Sequence, residues 1–228
     1  MIYTALGDSI TFGENASSIN KAYPQLFVSS MNSCSCRAAG YVLARPGWSS
    51  YDLLDAVVWQ GASIISRSSV VSIWIGGVDL ANAAISSLKR QQPFSAKQML
   101  IRYKTHLSSI LTPIKKGSRA RVICCTQYNP FPNSPLAVEW INQLNAVTCQ
   151  VAQSCGAIVA PAHKWFEGKQ ADFIYGYKRD KIEDALSGTL PIHPNDRGHQ
   201  AIANGLVPIL LCRSNVSAKK IKKGAKSH

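Results

Sequence analysis

The chain begins with the stretch Ile2-Tyr3-Thr4-Ala5-Leu6-Gly7-Asp8-Ser9-Ile10-Thr11, an apolar, strand-like run that ends abruptly in Gly-Asp-Ser. A glycine lets the backbone bend sharply, Asp8 can cap the following helix, and Ser9 can then point outward from the turn as a nucleophile. The alternative is an ordinary strand-to-helix turn, because Asp and Ser are also preferred capping residues. The residues downstream decide between these two interpretations.

Short apolar runs with strand character recur along the chain and alternate with helical patterns. The runs are residues 2–6, 41–44, 70–75, 120–126 and 157–160. One helix is predicted from a capping box at Ser95 to Pro113, a second from Ser134, and a last one from near Asn195 to about Leu211. This alternation predicts an α/β fold with a central parallel sheet of about five strands and helices on both faces, a three-layer α/β/α sandwich.

Length and composition are those of a compact globular protein. The chain has 228 residues, 46% of them hydrophobic and 16% charged, and no apolar run approaches the roughly 18 residues of a membrane helix. The N-terminus lacks the pattern of a signal peptide, so we expect a cytoplasmic protein. The seven cysteines are odd in number and include no C-x-x-C pair, which predicts reduced thiols and neither a disulfide framework nor a zinc site.

The charge of the chain is concentrated at its C-terminus. Residues 213–228 carry six of the thirteen net positive charges and no acidic residue, which predicts one domain over residues 1–212 and a basic, disordered tail. A lysine-rich tail can contact an anionic surface of nucleic acid or lipid; the alternative is a solvated terminus that aids solubility. Because no interleaved aromatic residues or nucleic-acid motifs accompany the lysines, we expect no specific nucleic-acid binding. The pattern leaves the oligomeric state open.

Three further polar blocks follow predicted strands or precede the last helix. Residues 45–50 (Arg-Pro-Gly-Trp-Ser-Ser) follow the second strand, and residues 76–79 (Gly-Gly-Val-Asp) follow the third. Residues 193–199 (His-Pro-Asn-Asp-Arg-Gly-His) precede the last helix. Because ligands bind at the carboxyl ends of the strands in such sheets, we expect these blocks to meet Ser9 at one edge of the sheet.

These four blocks, in this order, resemble the SGNH (GDSL) hydrolase superfamily of serine esterases and lipases, over residues 1 to about 212. The resemblance implies a flavodoxin-like sandwich in which Ser9 is the nucleophile and His193 is the catalytic base. It also implies that the backbone N–H of Gly47, with that of Ser9, holds the oxyanion. The chemistry agrees, since a serine needs a base to take its proton, and the tetrahedral oxyanion needs preplaced N–H donors.

The third of the four blocks, residues 76–79, departs from the family pattern. The family has Gly-x-Asn-Asp, in which the asparagine is a third oxyanion donor, whereas this chain has Val78 at that position. An isopropyl group donates no hydrogen bond, and losing one such donor costs about 10²–10³ in turnover. Asp79 is kept, and we expect it to act as a cap or loop anchor.

The acid that orients the histidine is also missing from its usual place. The family has Asp three residues before the histidine, and this chain has Leu190 there. Three explanations remain open: a backbone carbonyl holds the His193 ring, a nearby acid reaches it (Asp180, Glu183 or Asp184), or the site is impaired. Loss of such a partner costs about 10⁴ in a serine protease.

Several other residues near these blocks allow two interpretations. Asp196 and His199 form an Asp-x-x-His pair of their own, but the pair lies at the start of a helix, where Asp196 suits the first turn and His199 a structural role. Trp48 and Trp165 are candidates for the walls of a substrate pocket, with core packing as the alternative.

The sequence therefore supports two main hypotheses. The first is a serine esterase that acts on small or medium acyl esters through an acyl-enzyme, with no metal or organic cofactor. The second, motivated by Val78 and Leu190, is a catalytically impaired protein of the same fold that binds an acyl or carbohydrate ester. In a third hypothesis, the basic tail docks the enzyme on anionic lipid and phospholipids are the substrates.

Overall fold

The computed structural model describes residues 1–34, 36–90, 96–177 and 191–224, and of helical residues 87–90 and 212–224 it describes the backbone only. Within these ranges five strands form one sheet in which every pairing is parallel. The strands are β1 (Ile2–Gly7), β2 (Ala39–Ala44), β3 (Val70–Trp74), β4 (Arg121–Cys125) and β5 (Ile158–Ala160). All five correspond to the runs predicted from the sequence, so the predicted fold class is confirmed.

The order of the strands places the first polar block at the centre of the sheet. The order is β2-β1-β3-β4-β5, so the chain leaves β1 toward one side and then crosses back to the other. Gly7 at the end of β1 pairs with Ala44 of β2 and with Trp74 of β3. The carboxyl ends of these three strands therefore meet beside Ser9, at the switch in strand order where α/β proteins bind ligands.

The helices cover both faces of the sheet. In chain order they are α1 (Ser9–Phe12), α2 (Tyr23–Ser33), α3 (Ser50–Ala56), α4 (Ala62–Arg67), α5 (Gly77–Arg90), α6 (Ala96–Gly117), α7 (Pro135–Ser154), α8 (Ala162–Phe166), α9 (Gln170–Phe173) and α10 (Asp196–Gly224). A 3₁₀ turn at Ile19–Lys21 precedes α2, and a π-helical turn at Val57–Gly61 joins α3 to α4.

Alternating residues of the strands divide the core into two layers. On one face Tyr3 and Trp74 pack with α2, α8 and α10, and on the other face Leu6 and Ile73 pack with α3, α6 and α7. This alternation follows from the two-residue period of a strand, whose successive side chains point to opposite faces. The result is the predicted three-layer α/β/α sandwich.

Two helix ends differ from their predicted positions. Helix α6 continues through Pro113 to Gly117, because buried Ile114 keeps this last turn packed against the sheet. Helix α10 continues to Gly224, beyond the predicted end near Leu211. The predicted capping residue Ser95 lies outside the described residues. The division into a domain and a basic tail stays a prediction.

No helix in the described part of the chain is long and apolar enough to cross a membrane. The six cysteines whose side chains are described are free thiols in the structure.

Candidate active site

The first block forms the turn between β1 and α1 that the sequence predicts. Asp8 has an extended backbone, and its carboxylate accepts a hydrogen bond from the N–H of Ile10 at 3.0 Å, which is the geometry of an N-cap. Burial raises the pKa of this carboxyl to about 7. Ser9 is then the first residue of α1, so its N–H lies among the groups that have no partner within the helix.

Gly7 is required at this turn by close packing. A side chain at Gly7 would overlap the hydroxyl of Thr11 and the carbonyl oxygen of Trp74. Gly7 does not have a positive φ. The position therefore requires glycine because neighbouring atoms approach closely, and not because of the sharp bend that the sequence had indicated. The backbone of β1 can therefore lie directly against β3 and α1 just before Ser9.

The structure brings Ser9 and His193 together across 184 residues of chain. His193 Nε2 lies 2.9 Å from Ser9 Oγ, within hydrogen-bond distance. The backbone of the histidine is held by the N–H of Tyr175, which donates to its carbonyl at 2.9 Å, and the hydroxyl of Tyr128 donates to the neighbouring carbonyl of Ile192. Burial lowers the pKa of His193, an effect that the carboxylate of Glu14 opposes. A lowered pKa keeps the imidazole neutral, the form that can accept a proton.

The second block presents the backbone of Gly47 at the end of β2. The N–H of Trp48 donates to the carbonyl of Arg45 at 3.2 Å, and Gly47 has a φ of 82°. Pro46 followed by a glycine in this conformation is a type II turn, whose third position requires a positive φ. The N–H of Gly47 makes no hydrogen bond within the described ranges, so it is available to an anionic ligand.

The second and third blocks are joined through one carboxylate. Asp79, in the first turn of α5, accepts hydrogen bonds from Ser50 N–H at 2.8 Å and from Ser50 Oγ at 2.6 Å. Ser50 Oγ also lies 2.9 Å from Nδ1 of His106 on α6. Asp79 is therefore the loop anchor that the sequence predicted. Val78 is half-buried on the same turn of helix, and its side chain donates nothing.

Glu14 is a charged residue at this site that the sequence analysis did not single out. Its Oε2 lies 3.7 Å from His193 Nε2, the same ring nitrogen that faces Ser9. The only available signal was its position just after the Gly13 that ends α1, and nothing in that spacing indicates a contact with a residue near the other end of the chain.

The second Asp-x-x-His pair has the structural role that was expected. His199 is completely buried: its Nδ1 accepts from the N–H of Tyr23 at 3.3 Å, and its Nε2 faces the carbonyl of Glu14 at 3.3 Å. Asp196 accepts hydrogen bonds from Ser17 N–H and Oγ at 2.8 and 2.6 Å. Burial lowers the pKa of His199 to about 4, so this ring stays neutral.

The two tryptophans are both partly buried against the core. Trp165 lies over Gly205 of α10, so close that a side chain there would overlap its ring. Trp48 packs against the core layer on the opposite face of the sheet. These positions favour the packing interpretation, and a role in binding substrate stays a prediction for both.

An open groove of about 670 Å³ lies between the loop that follows Glu14 and the start of α10. It is lined by Asn15, Ala16, Ser17, Tyr175, Asn195, Asp196 and Arg197. Its lining combines apolar surface with the polar groups of these side chains.

The position of the family aspartate and the acids expected to reach His193 lie outside the described residues; these are Leu190, Asp180, Glu183 and Asp184. Within the described part of the chain, Nδ1 of His193 makes no hydrogen bond, and no group of three or more His, Cys, Asp or Glu side chains is arranged to hold a metal ion.

A five-stranded parallel sheet with a serine–histidine pair at its switch point is an arrangement typical of α/β hydrolytic enzymes. The profile of the GDSL-like Lipase/Acylhydrolase family matches residues 5–201, and the chain belongs to this family. The resemblance to SGNH hydrolases is thereby confirmed, and with it the prediction of a carboxylic ester hydrolase.

Individual relatives are distant but match almost the whole chain. The spore germination lipase LipC of Bacillus licheniformis is 24% identical over 218 residues, which cover 90% of this chain and 93% of that protein. The lipase Lip_vut3 from a goat rumen metagenome has a TM-score of 0.76 at 22% identity, covering 90% of this chain and 95% of that one. The acetyl xylan esterase AlAXEase has a TM-score of 0.67 at 15% identity, covering 90% and 98%.

Proposed function

We propose that the chain is a serine esterase in which Ser9 is the nucleophile and His193 the general base. The observation that carries this proposal is the 2.9 Å contact between Ser9 Oγ and His193 Nε2 at the carboxyl edge of the sheet. A serine at a helix start, in hydrogen-bond contact with a neutral imidazole, is the arrangement that makes a hydroxyl nucleophilic near neutral pH.

The steps follow from this geometry. His193 Nε2 takes the proton of Ser9 Oγ as the oxygen attacks the ester carbonyl, and the negative charge develops on the carbonyl oxygen. The N–H groups of Ser9 and Gly47 are the two donors proposed for that oxyanion. The imidazolium then gives its proton to the leaving alcohol, and water activated by the same histidine releases the acid from the acyl-enzyme.

We infer small or medium acyl esters as substrates. The groove between the loop after Glu14 and the start of α10 is a candidate for the alcohol part, because Asn15, Ser17 and Asn195 offer hydrogen-bonding groups to it. Among the similar proteins, two carry the name lipase and one the name acetyl xylan esterase, so both lipid and sugar esters belong in the test. A panel of p-nitrophenyl esters of increasing chain length, with acetylated xylo-oligosaccharides beside them, identifies the acyl and alcohol preference.

The nucleophile is tested by covalent labelling. Wild type should react with a fluorophosphonate probe and hydrolyse p-nitrophenyl acetate, and Ser9→Ala should do neither. His193→Ala should lose turnover while keeping a cooperative unfolding transition. If wild type shows as little labelling and turnover as Ser9→Ala, the esterase proposal is wrong.

The second candidate function is binding of an acyl or carbohydrate ester with little turnover. Val78 favours it, because only two backbone donors remain for the oxyanion. Val78→Asn restores the missing amide, and Val78→Leu is the matched control with a similar shape and no donor. A rise in turnover of about 10²-fold in the Asn variant alone, from a wild-type rate near background, would support the impaired site. Equal turnover well above background in wild type and both variants would exclude it.

A further inference from the structure

The carboxylate of Glu14 lies on the proton-accepting side of His193. In the family pattern the acid precedes the histidine and contacts the other ring nitrogen, but here Glu14 Oε2 is 3.7 Å from Nε2, which also contacts Ser9. The His193 side chain is 16% exposed and that of Glu14 is 38% exposed, so water screens the pair only in part.

The loop that carries Glu14 is fixed to the rest of the site at both backbone groups of that residue. Its N–H donates to the carbonyl of Ser9 at 3.0 Å, and its carbonyl faces Nε2 of buried His199 at 3.3 Å. Because Nδ1 of His199 accepts from a backbone N–H, its Nε2 carries the proton and donates to Glu14.

A second clamp lies three residues further along this loop. Asp196, in the first turn of α10, accepts hydrogen bonds from the N–H and the hydroxyl of Ser17. The loop is therefore tied to the same helix that follows His193, and these bonds fix the backbone of Glu14 beside the histidine.

We propose that Glu14 is the charge partner of His193, a positioning residue that stabilises the imidazolium formed when Ser9 gives up its proton. This inference rests on the esterase mechanism proposed above. Glu14 would supply the negative charge of the family aspartate that Leu190 replaces, and it would do so from the opposite side of the His193 ring.

The proton balance is simple. The proton moves from Ser9 Oγ to His193 Nε2 and then to the oxygen of the leaving alcohol, and Glu14 takes no part in the transfer. At 3.7 Å the carboxylate is beyond hydrogen-bond distance from Nε2, so it attracts the positive charge without holding the proton. The N–H remains directed at the oxygen that must receive it.

The test compares the titration of His193 in four proteins. Histidine NMR signals are followed against pH in wild type, Glu14→Gln, Glu14→Asp and the control Asp172→Asn. Asp172 is a carboxylate near the same edge that pairs with Arg197 at 3.8 Å, and no described contact joins it to His193. Other titratable groups near the site include neutral His199, buried Asp8 and Asp196, and all three are unchanged in the four proteins.

A negative charge favours the imidazolium, so its removal should lower the pKa of His193. We expect a fall of about half to one pH unit in Glu14→Gln, a smaller fall in Glu14→Asp, and none in the control. The acid limb of kcat/KM should move to lower pH by the same amount, and kcat at pH 8 should fall about tenfold.

The outcomes separate the Glu14 proposal from the esterase proposal. An unchanged pKa of His193 in Glu14→Gln overturns the proposal. It is also overturned if Asp180→Asn, Glu183→Gln or Asp184→Asn lowers kcat by 10³ or more while Glu14→Gln stays within twofold of wild type. If the pKa moves as expected but wild type neither turns over esters nor labels at Ser9, the charge pairing stands and the esterase function fails.

Discussion

Replacing Asp79 with alanine should lower both the stability of the fold and the turnover of the proposed site. This one carboxylate joins the second block, residues 45–50, to the third block, residues 76–79. It accepts from the N–H and the hydroxyl of fully buried Ser50, at 2.8 and 2.6 Å. Gly47, the proposed oxyanion donor, lies three residues before Ser50 on the same loop.

The size of the effect follows from what each donor can do afterwards. In Asp79→Ala the hydroxyl of Ser50 can turn to His106 Nδ1, at 2.9 Å, and keep a partner. The buried N–H of Ser50 has no such choice, and an orphaned donor costs about 1–3 kcal/mol in addition to the lost charge-assisted bonds. We expect a loss of about 2–4 kcal/mol in unfolding free energy, and a fall in kcat of about 10–10² as the N–H of Gly47 moves. Asp79→Asn keeps an acceptor for the Ser50 N–H and should lose about 1 kcal/mol.

Asp52→Ala is the matched control, and Asp52 lies on α3, the helix that begins at Ser50. Ser49 gives its N–H and hydroxyl to Asp52 at 2.8 and 2.6 Å, so each of two neighbouring serines is held by a carboxylate in the same way. The Ser49 bonds are local to the N-terminus of α3, whereas the Asp79 bonds join two parts of the site. Losing the capping box should cost about 1 kcal/mol of stability and little activity.

The assays are urea unfolding for stability and p-nitrophenyl acetate hydrolysis for kcat, run on wild type and the three variants. The positioning argument fails if Asp79→Ala is less stable but keeps kcat within twofold of wild type. It also fails if Asp52→Ala lowers kcat as much as Asp79→Ala does.

Three further predictions concern the close approach at β1, a buried histidine and the tail. Gly7→Ala should lose more than about 3 kcal/mol in urea unfolding, because its Cβ overlaps the Trp74 carbonyl, which cannot move without breaking the sheet; near-native stability would contradict this. The unfolded chain protonates His199 near pH 6.5 and the folded chain near 4, so the contribution of His199 to the unfolding free energy should fall by about 3 kcal/mol as the pH drops through that range, read as the difference in urea unfolding between wild type and His199→Gln. Deleting residues 213–228 should abolish low-salt binding to anionic vesicles and leave kcat/KM for a soluble ester unchanged; undiminished vesicle binding would rule out docking by the tail.

Local sequence was sufficient for the strands and for the turn that carries Ser9. Five apolar runs form five parallel strands, and the three central ones, β1, β3 and β4, are apolar at most positions because they are buried on both faces. Asp8 and Ser134 cap the helices that were expected to follow them, because capping depends on only a few consecutive residues. Pro113 misled the prediction of a helix end, because the burial of Ile114 against the sheet outweighs one lost backbone hydrogen bond.

The sequence by itself indicated the candidates for the chemistry: a hydroxyl at a strand end, a histidine before the last helix, and a missing asparagine and aspartate. Only the tertiary structure decided what surrounds them. Glu14 meets His193, and Ser50 meets Asp79, through contacts between residues far apart in the chain, and no local pattern encodes such distances. Side-chain type sets what a residue can donate, accept or titrate, but the packing of the sheet and its helices sets which partner it has.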